Sequence, residues 1–356
     1  MDKNIIIDSK EIIDNLGKMN NLFSGKKILL TGCAGFLGSQ FVHYFAQLNA
    51  LKVLSVPCEL ICVDNFIREM PDWLKDINDF TVTNQDITRF EYDDNVDYII
   101  HAASIASPMY YRLHPIETMD ANIWGLRNLL DFTLKHPCKS FLFFSSSEVY
   151  GDPDPDNIPT KEDYRGSVSF TGPRACYDES KRFGETLCIN FWQQHQVPIK
   201  IARPFNNYGP GLHINDKRVL PDFFKNVING EDITLFSNGR ATRTFCYTSD
   251  AITGYLQILL SGFNGESFNI GTEKPEISMS ELAEKVLEVS RSSQKIIFKN
   301  STDTNYLKDN PNRRCPDITK AKNMLGYSPK IDLEAGLLRT FNYYMNNNKS
   351  TIKQGM

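Results

Sequence analysis

The sequence lacks the features of membrane, secreted and zinc-binding proteins. No hydrophobic run approaches the roughly 18 to 20 residues that cross a bilayer. The chain is charged from Asp2 onward, without an apolar segment before a small-residue cleavage site. Its eight cysteines are scattered, and none of them show the paired spacing of zinc ligands. We therefore expect a cytoplasmic protein with reduced thiols, no bound metal and no membrane partner.

An excess of positive charge is also missing. Lysine and arginine number 39, against 43 aspartates and glutamates, which gives a net charge of -4. Such a chain offers no basic field to a nucleic-acid backbone, so we exclude nucleic acid as a partner. An anionic ligand would have to be held by local arginines and helix ends.

Hydrophobic material is present in the usual amount. Hydrophobic residues make up 41% of the 356 residues, enough for a sizeable core, and at about 150 residues per domain the length suggests two lobes. From Lys26 onward, short β-rich runs alternate with longer helical ones, which predicts an α/β fold with a Rossmann-type doubly wound parallel sheet. The predicted strands are KKILLTG, ELICVD, FTVTNQD, VDYIIHAA, SFLFFSSS and PIKIARPFN.

The composition of the chain changes after Asn206, where glycine, proline and asparagine become frequent. We predict an N-terminal helical appendage over residues 1–25 and a Rossmann domain over 26–206, to which 245–270 return. Residues 207–244 and 271–356 are expected to form a smaller mixed α/β lobe that binds substrate.

A glycine-rich loop, TGCAGFLG, follows the first strand and opens a helix. Glycines let the backbone approach a pyrophosphate, which a helix N-terminus stabilises, although a simple tight turn also uses glycine. The loop ends at Gly38, and the second strand, which follows the helix, ends at Asp64. A carboxylate there can accept hydrogen bonds from a ribose diol and repel a 2′-phosphate, which favours NAD over NADP. The alternative is a turn of Asp64 with Asn65; Asp86, after the third strand, is either an adenine contact or a solvated loop residue.

Tyr177 and Lys181 lie four residues apart at the start of a long helical pattern and therefore share a helix face. A nearby ammonium favours the phenolate and makes tyrosine a usable base. The strand end SSSEVYGD adds Ser146 or Ser147 as a partner for a reacting hydroxyl and Glu148 as a second titratable group. Alone, the Tyr and Lys could form a surface pair; with the glycine loop, they predict hydride chemistry.

The order of the motifs resembles the extended short-chain dehydrogenase/reductases that act on nucleotide sugars, the NAD-dependent epimerase/dehydratase family. The resemblance runs from about Lys26 to Tyr344. GPRACYDESKR, preceded by SEVYGDP, is most similar to the UDP-glucuronate decarboxylases, or UDP-xylose synthases. The motifs are TGCAGFLG, VDNF, HAAS, SSSEVYGD, YDESK, ARPFNNYGP, RTFCYTSD and PDITKAKNMLGYSP.

The resemblance implies roles for particular residues, together with NAD as cofactor, a nucleotide-sugar substrate and a homodimer. The dimer would form through the helices near 115–136 and 174–195. The implied catalytic residues are Ser147, Glu148, Tyr177, Lys181 and Arg243. The implied cofactor residues are Gly32, Gly35, Phe36, Leu37, Gly38, Asp64, Asn65, Asp86, Ile87, Ala102, Tyr177, Lys181 and Pro204. The implied substrate residues are Tyr111, Asn206, Arg218, Arg243 and Arg314.

The strand end discriminates among the reactions of this family. A 4,6-dehydratase typically carries an Asp-Glu pair where this chain has Ser147-Glu148, and a 4-epimerase typically lacks the glutamate. Decarboxylation needs less from the protein, because oxidation at C4 turns the C5 carboxylate into a β-keto acid. The resemblance thus implies a UDP-glucuronate decarboxylase, with a 4-epimerase or 4,6-dehydratase as alternatives. A noncatalytic sensor of NAD or of a sugar nucleotide is a further alternative, disfavoured by Tyr177 and Lys181.

Several segments depart from the decarboxylase pattern, among them GLHINDKRV and a longer connection, LNALKVLSVPCEL, before the second strand. The chain has SIASPMYYRLHP where the family usually has a PASP-type segment, and RPFNNYGP where RIFNTYGP is usual. A different uronate or nucleotide therefore stays open.

Overall fold

The computed structural model describes residues 2–77, 79–301, 303, 305 and 308–353, with side chains to 347. Seven of the described strands form one parallel sheet in the order β11-β6-β5-β4-β1-β2-β3, which confirms the predicted doubly wound sheet. Its strands are β1 (Lys27–Thr31), β2 (Glu59–Asp64), β3 (Thr81–Asn84), β4 (Tyr98–His101), β5 (Ser140–Phe144), β6 (Ile199–Pro204) and β11 (Ser267–Ile270).

Helices cover both faces of this sheet, because alternate residues of each buried strand point to opposite sides. In β1, Ile28 and Leu30 join one hydrophobic cluster, whereas Leu29 joins the other. The helices are α1 (Lys3–Leu16), α2 (Phe36–Ala50), α3 (Asp72–Lys75), α4 (Pro108–Leu113), α5 (Pro115–Asp120), α6 (Leu126–Lys135), α7 (Ala175–His195), α8 (Val219–Ile228), α9 (Thr248–Leu260), α10 (Met279–Ser290), α11 (Thr319–Leu325) and α12 (Leu333–Lys353). No described helix is both long and apolar enough to span a membrane.

The N-terminal helix α1 packs on α2 and α9. Asp2 caps it by accepting a hydrogen bond from the Asn4 backbone N–H at 2.8 Å. Its apolar face is buried, and Ile12 and Ile13 join the same cluster as Ile28 of β1. The segment predicted to be an appendage therefore packs into the main core.

One predicted helix is interrupted. Residues 115–136 form α5 and α6, joined by a π-helical turn over Ala121–Gly125. Such a turn has the wider hydrogen-bond spacing of a π-bulge, which hydrophobic periodicity does not distinguish from an α-helix.

The smaller lobe is built from short strands and the helices α8, α10 and α12 around their own core. Strand β14 pairs in parallel with β9, which also pairs antiparallel with β12. In this register Arg314 lies opposite Arg243, although the two are distant in the sequence. The short strands are β7 (Asn207–Tyr208), β8 (Ile233–Leu235), β9 (Thr242–Arg243), β10 (Cys246–Tyr247), β12 (Ile277–Ser278), β13 (Ile296–Phe298) and β14 (Arg313–Arg314).

Candidate active site

A cleft of about 2740 Å³ lies at the carboxyl ends of the parallel strands, between the sheet and the smaller lobe. This is where ligands bind in open α/β sheets. Every residue that the sequence assigns to the cofactor, to the substrate or to catalysis lines this cleft. The fold thus collects candidates that range from Gly32 near the start of the chain to Arg314 near its end.

The glycine loop between β1 and α2 has a backbone that admits no side chain at two positions. Gly32 has φ +75°, and a Cβ there would lie 2.7 Å from the Ala103 Cα. A Cβ on Gly38 would lie 1.9 Å from the Gly32 carbonyl oxygen. Helix α2 begins at Phe36 with Gly35 as its N-cap, so no side chain caps its first N–H groups. Those donors suit a pyrophosphate.

Asp64, at the end of β2, is fixed beside this loop. Its Oδ2 accepts a hydrogen bond from the Ala34 N–H at 3.0 Å, and its Oδ1 accepts one from the Phe66 N–H at 2.9 Å. Burial raises the pKa of the Asp64 carboxyl, and these bonds act against that rise. Asp86 is exposed and caps a short turn through the Thr88 N–H. The loop and the carboxylate together fit the pyrophosphate and ribose of NAD.

The neighbours of the predicted cofactor residues follow the strand ends. Asn65 is exposed and accepts a hydrogen bond from the Ile67 N–H. Ile87 is buried, and Ala102 and Pro204 are half-buried after β4 and at the end of β6. These residues line the same cleft as the glycine loop and Asp64, at the carboxyl ends of the strands.

Helix α7 brings Tyr177 and Lys181 against the end of β5. The Ser146 hydroxyl lies beside Tyr177 and acts to lower the pKa of its phenol, and the Ser146 Oγ accepts a hydrogen bond from the Glu148 N–H at 3.2 Å. Ser147 is buried at the start of a 3-10 turn, Ser147–Tyr150. The structure therefore pairs the tyrosine with Ser146, the member of the serine run that the sequence left as an alternative to Ser147.

Burial controls the ionisation of this pair. It raises the pKa of Tyr177 to about 12, while the neighbouring Ser146 hydroxyl acts to lower it. It lowers the pKa of Lys181 to about 7. The Lys181 Nζ donates to the Phe144 carbonyl at 2.9 Å and lies 5.7 Å from the centre of the Tyr177 ring. Burial raises the pKa of many core tyrosines in the same way, so it is the lowered pKa of the Lys181 amine beside a phenol that marks this pair as a candidate for proton transfer.

Tyr111 lies face to face with Tyr177, with ring centres 5.1 Å apart and an angle of 10° between the rings. Its hydroxyl is buried and has no hydrogen-bond partner among the described residues. A buried hydroxyl without a partner is unfavourable in a finished core, which points to a ligand partner in the cleft.

Glu148 lies between two arginines. The Arg174 Nη2 is 2.5 Å from its Oε2, and the Arg314 Nη2 is 2.6 Å from the same oxygen. Burial raises the pKa of the Glu148 carboxyl, but Arg174 and Arg314 outweigh it and hold that pKa at about 2. Sequence reasoning missed the role of Arg174, although GPRACYDESKR contains it three residues before Tyr177.

Arg243 is held by backbone carbonyls rather than by a carboxylate. It donates to the carbonyls of Pro311 at 2.5 Å, Thr242 at 2.7 Å and Asn312 at 3.2 Å. Burial, together with the like charge of Arg314, lowers the pKa of Arg243 to about 9. Arg174, Arg243 and Arg314 thus surround one glutamate and leave an excess of positive charge in the cleft.

Two other predicted substrate residues lie at the rim of the smaller lobe. The Arg218 Nε is 2.7 Å from the Asp216 Oδ1, and Arg218 stands at the N-cap of α8. The Asn206 Nδ2 donates to the Thr244 carbonyl at 2.9 Å. Arg218 and Asn206 therefore each contact a protein group and also line the cleft.

Comparison with known proteins agrees with this geometry. The sequence model of the NAD dependent epimerase/dehydratase family matches residues 28–271. UDP-glucuronic acid decarboxylase 1 of Xenopus tropicalis is 38% identical over 90% of this chain and 72% of its own length. UDP-glucuronic acid decarboxylase 6 of Arabidopsis thaliana is 38% identical over 88% of this chain and 87% of its own. The UDP-glucuronic acid 4-epimerase of Bacillus cereus, solved with UDP-glucuronic acid and NAD, is 26% identical with a TM-score of 0.74, covering 90% of this chain and 99% of that one.

Proposed function

This chain belongs to the NAD dependent epimerase/dehydratase family, and from that premise we propose that it is an NAD-dependent UDP-glucuronate decarboxylase that forms UDP-xylose. The state of Glu148 carries this proposal. A 4,6-dehydratase uses the glutamate at this position to remove the C5 proton. A carboxylate paired with two arginines and with a pKa of about 2 is a poor proton acceptor.

Decarboxylation does not need that base. NAD, when bound, supplies the acceptor for the C4 hydride and returns it at the end of the cycle. The ammonium form of Lys181 favours the phenolate of Tyr177 against the burial that raises its pKa, and this phenolate accepts the proton of the C4 hydroxyl, with the Ser146 hydroxyl beside it. The resulting 4-keto sugar is a β-keto acid and loses CO2. Donors from Tyr177 and Ser146 stabilise the enolate oxygen, C5 takes up a proton that comes from water, and Tyr177 returns its proton to the C4 oxygen when the hydride returns.

The arginines supply recognition of the substrate. UDP-glucuronate carries a diphosphate and a carboxylate, and guanidinium groups bind both through charge-assisted hydrogen bonds. Arg174, Arg243 and Arg314 outnumber the ionised Glu148 that they surround. We assign Arg243 to the sugar side, and Arg218 with Asn206 to the diphosphate side, with Tyr111 as a further hydroxyl contact.

Incubation with UDP-glucuronate and NAD, followed by identification of the products, tests the proposal. CO2 and a UDP-pentose are expected. UDP-galacturonate would indicate epimerisation, and a 4-keto-6-deoxy product from a hexose nucleotide would indicate dehydration. The matched control is Tyr177→Phe, which should bind NAD but lose about 10²- to 10⁴-fold in rate, the usual contribution of a general base.

The finer proposal on assembly is a homodimer through the surface of α4 to α7. Large apolar side chains are exposed there, namely Leu113, Ile116, Trp124 and Phe183. Such a cluster on a protein surface is typical of an interface. Light scattering should give twice the mass of the 356-residue chain, and Trp124→Glu with Phe183→Glu should give the monomer; a wild-type monomer would refute it.

We place the protein in the cytoplasm. All eight cysteines are free, as expected in a reducing compartment. Cell fractionation that finds the protein in a membrane or secreted fraction would contradict this location.

A further inference from the structure

Helix α7 makes a third contact with the end of β5, one turn beyond Lys181. Tyr177, Lys181 and Glu185 are spaced four residues apart and lie on one helix face. They meet three consecutive residues of the strand end: Tyr177 lies beside the Ser146 side chain, Lys181 donates to the Phe144 carbonyl, and Glu185 accepts from the Ser145 hydroxyl. These contacts fix α7, which carries the proposed base Tyr177, against the end of β5, which leads to Ser146.

The third of these contacts belongs to a buried ion pair. The Glu185 Oε1 accepts from the Ser145 Oγ at 2.5 Å and from the Arg203 Nε at 2.8 Å. The Glu185 Oε2 accepts from the Arg203 Nη2 at 2.6 Å. The side chains of Glu185 and Arg203 are only 14% and 11% exposed. The pair is therefore bidentate and nearly dry, which gives it a defined orientation.

The remaining nitrogen of Arg203 reaches the turn that carries Glu148. Its Nη1 donates to the Tyr150 hydroxyl at 2.6 Å and to the Glu162 carbonyl at 2.8 Å. Tyr150 follows Glu148 by two residues, and its hydroxyl donates to the Asn269 Oδ1 of β11 at 2.7 Å. One guanidinium on β6 thereby connects α7 with the strand end and the turn.

We propose that Glu185 and Arg203 are positioning residues, which hold Tyr177 and Lys181 on α7 in alignment with Ser146 and Glu148 on the strand end. Both residues lie outside the set that lines the cleft. A buried ion pair contributes little to stability compared with apolar residues of the same size, so orientation is the better account of its presence here. Proton transfer between the sugar hydroxyl and Tyr177 requires such alignment, because a misplacement of about 1 Å can reduce the rate about 10²-fold.

The inference rests on the proposed oxidation at C4, so each variant is assayed with the nucleotide sugar that the wild type turns over. Glu185→Gln and Arg203→Lys should lower kcat at least about tenfold, with KM within about threefold. The acid limb of the pH profile of kcat/KM should move to higher pH, because a displaced Ser146 no longer lowers the pKa of Tyr177. Glu185→Asp should restore part of kcat, and Ser145→Ala should give a smaller loss of the same kind.

The matched control is Glu11→Gln, which breaks the bidentate pair of Glu11 with Arg339 on the N-terminal helix. Its kcat, KM and pH profile should equal those of the wild type. A folded Glu185→Gln enzyme with the kcat and the acid limb of the wild type would overturn the proposal. A loss of activity equal to the fraction of the variant that is unfolded would also overturn it. If Glu185→Gln does not fold, Ser145→Ala with wild-type kcat and pH profile overturns it. A wild type that releases no CO2 counts against the proposed function alone.

Discussion

Two carboxylates with little exposure to solvent lie beside arginines in this molecule, and near pH 6 one is ionised and the other neutral. Glu148, in the cleft, has a pKa of about 2. Asp8, on the N-terminal helix, is 1% exposed, and burial raises its pKa to about 7. Both groups lose their hydration, so burial alone does not decide which of them is ionised.

The difference lies in the partners. Glu148 has two arginines within 2.6 Å, and the Arg174 and Arg314 side chains are 9% and 10% exposed. Asp8 accepts hydrogen bonds from the neutral Tyr247 hydroxyl at 2.9 and 3.1 Å, and its one arginine, Arg339, lies at 3.2 Å and is shared with Glu11. In the cleft, the arginines thus keep Glu148 ionised. On the N-terminal helix, Asp8 is neutral at pH 6.

The largest expected contrast is in stability when each acid is replaced by its amide. Glu148→Gln removes the anion among Arg174, Arg243 and Arg314, and we expect the free energy of unfolding to fall by about 3 kcal/mol. Asp8→Asn removes a carboxyl that must take up a proton on folding at pH 6, because its ordinary pKa of 3.8 lies below that pH and its folded pKa of about 7 lies above it, so stability should rise. Urea denaturation at pH 6 measures both. Equal losses in the two variants would show that the two sites do not differ as described.

Activity should separate the same two variants. Glu148→Gln frees Arg174 and Arg314 to move within the cleft that they line, and we expect kcat to fall about 10²-fold. Asp8 does not line the cleft, so Asp8→Asn should stay within about twofold of the wild type. Steady-state rates at saturating nucleotide sugar and NAD test this. A fully active Glu148→Gln enzyme would mean that Arg174 and Arg314 do not need the Glu148 carboxylate to stay in position.

The two sites also differ in how far the sequence reveals them. The glycine loop, Asp64, Tyr177 and Lys181 each fall within contiguous motifs whose spacing follows one strand or helix, and the sheet follows from the alternation of apolar runs. The ion pairs of Glu148 cannot be read from one motif. Arg174 comes from the start of α7, and Arg314 comes from a short strand of the smaller lobe, far along the chain. Asp8 gave no signal at all, since an amphipathic pattern over residues 1–25 does not show what its polar face will meet.

Acid should weaken the wild type more than the Glu148→Gln variant. The folded pKa of Glu148 lies below its ordinary value of 4.5, so its contribution to stability is present above pH 4.5 and disappears as the pH falls toward 2. Between pH 5 and pH 3 the loss from this group amounts to about 2 kcal/mol. Urea titrations of both proteins at the two pH values measure the difference. Parallel losses in the two proteins would place the folded pKa of Glu148 near its ordinary value.

Alkali should have the opposite effect at Asp8, and the effect should be smaller. The folded pKa of about 7 lies above the ordinary 3.8, so the contribution of Asp8 is fully present below pH 3.8 and is lost as the pH rises through 7. Between pH 6 and pH 8 the wild type should therefore lose about 1 kcal/mol relative to Asp8→Asn, measured by urea denaturation. Tyr247→Phe is the matched control, because without that hydroxyl, which lowers the pKa of Asp8, the loss should shift to higher pH. If the stabilities of wild type and Asp8→Asn change equally between pH 6 and pH 8, Asp8 is already ionised at pH 6. Arg339, which Asp8 shares with Glu11, would then be enough to stabilise the buried carboxylate.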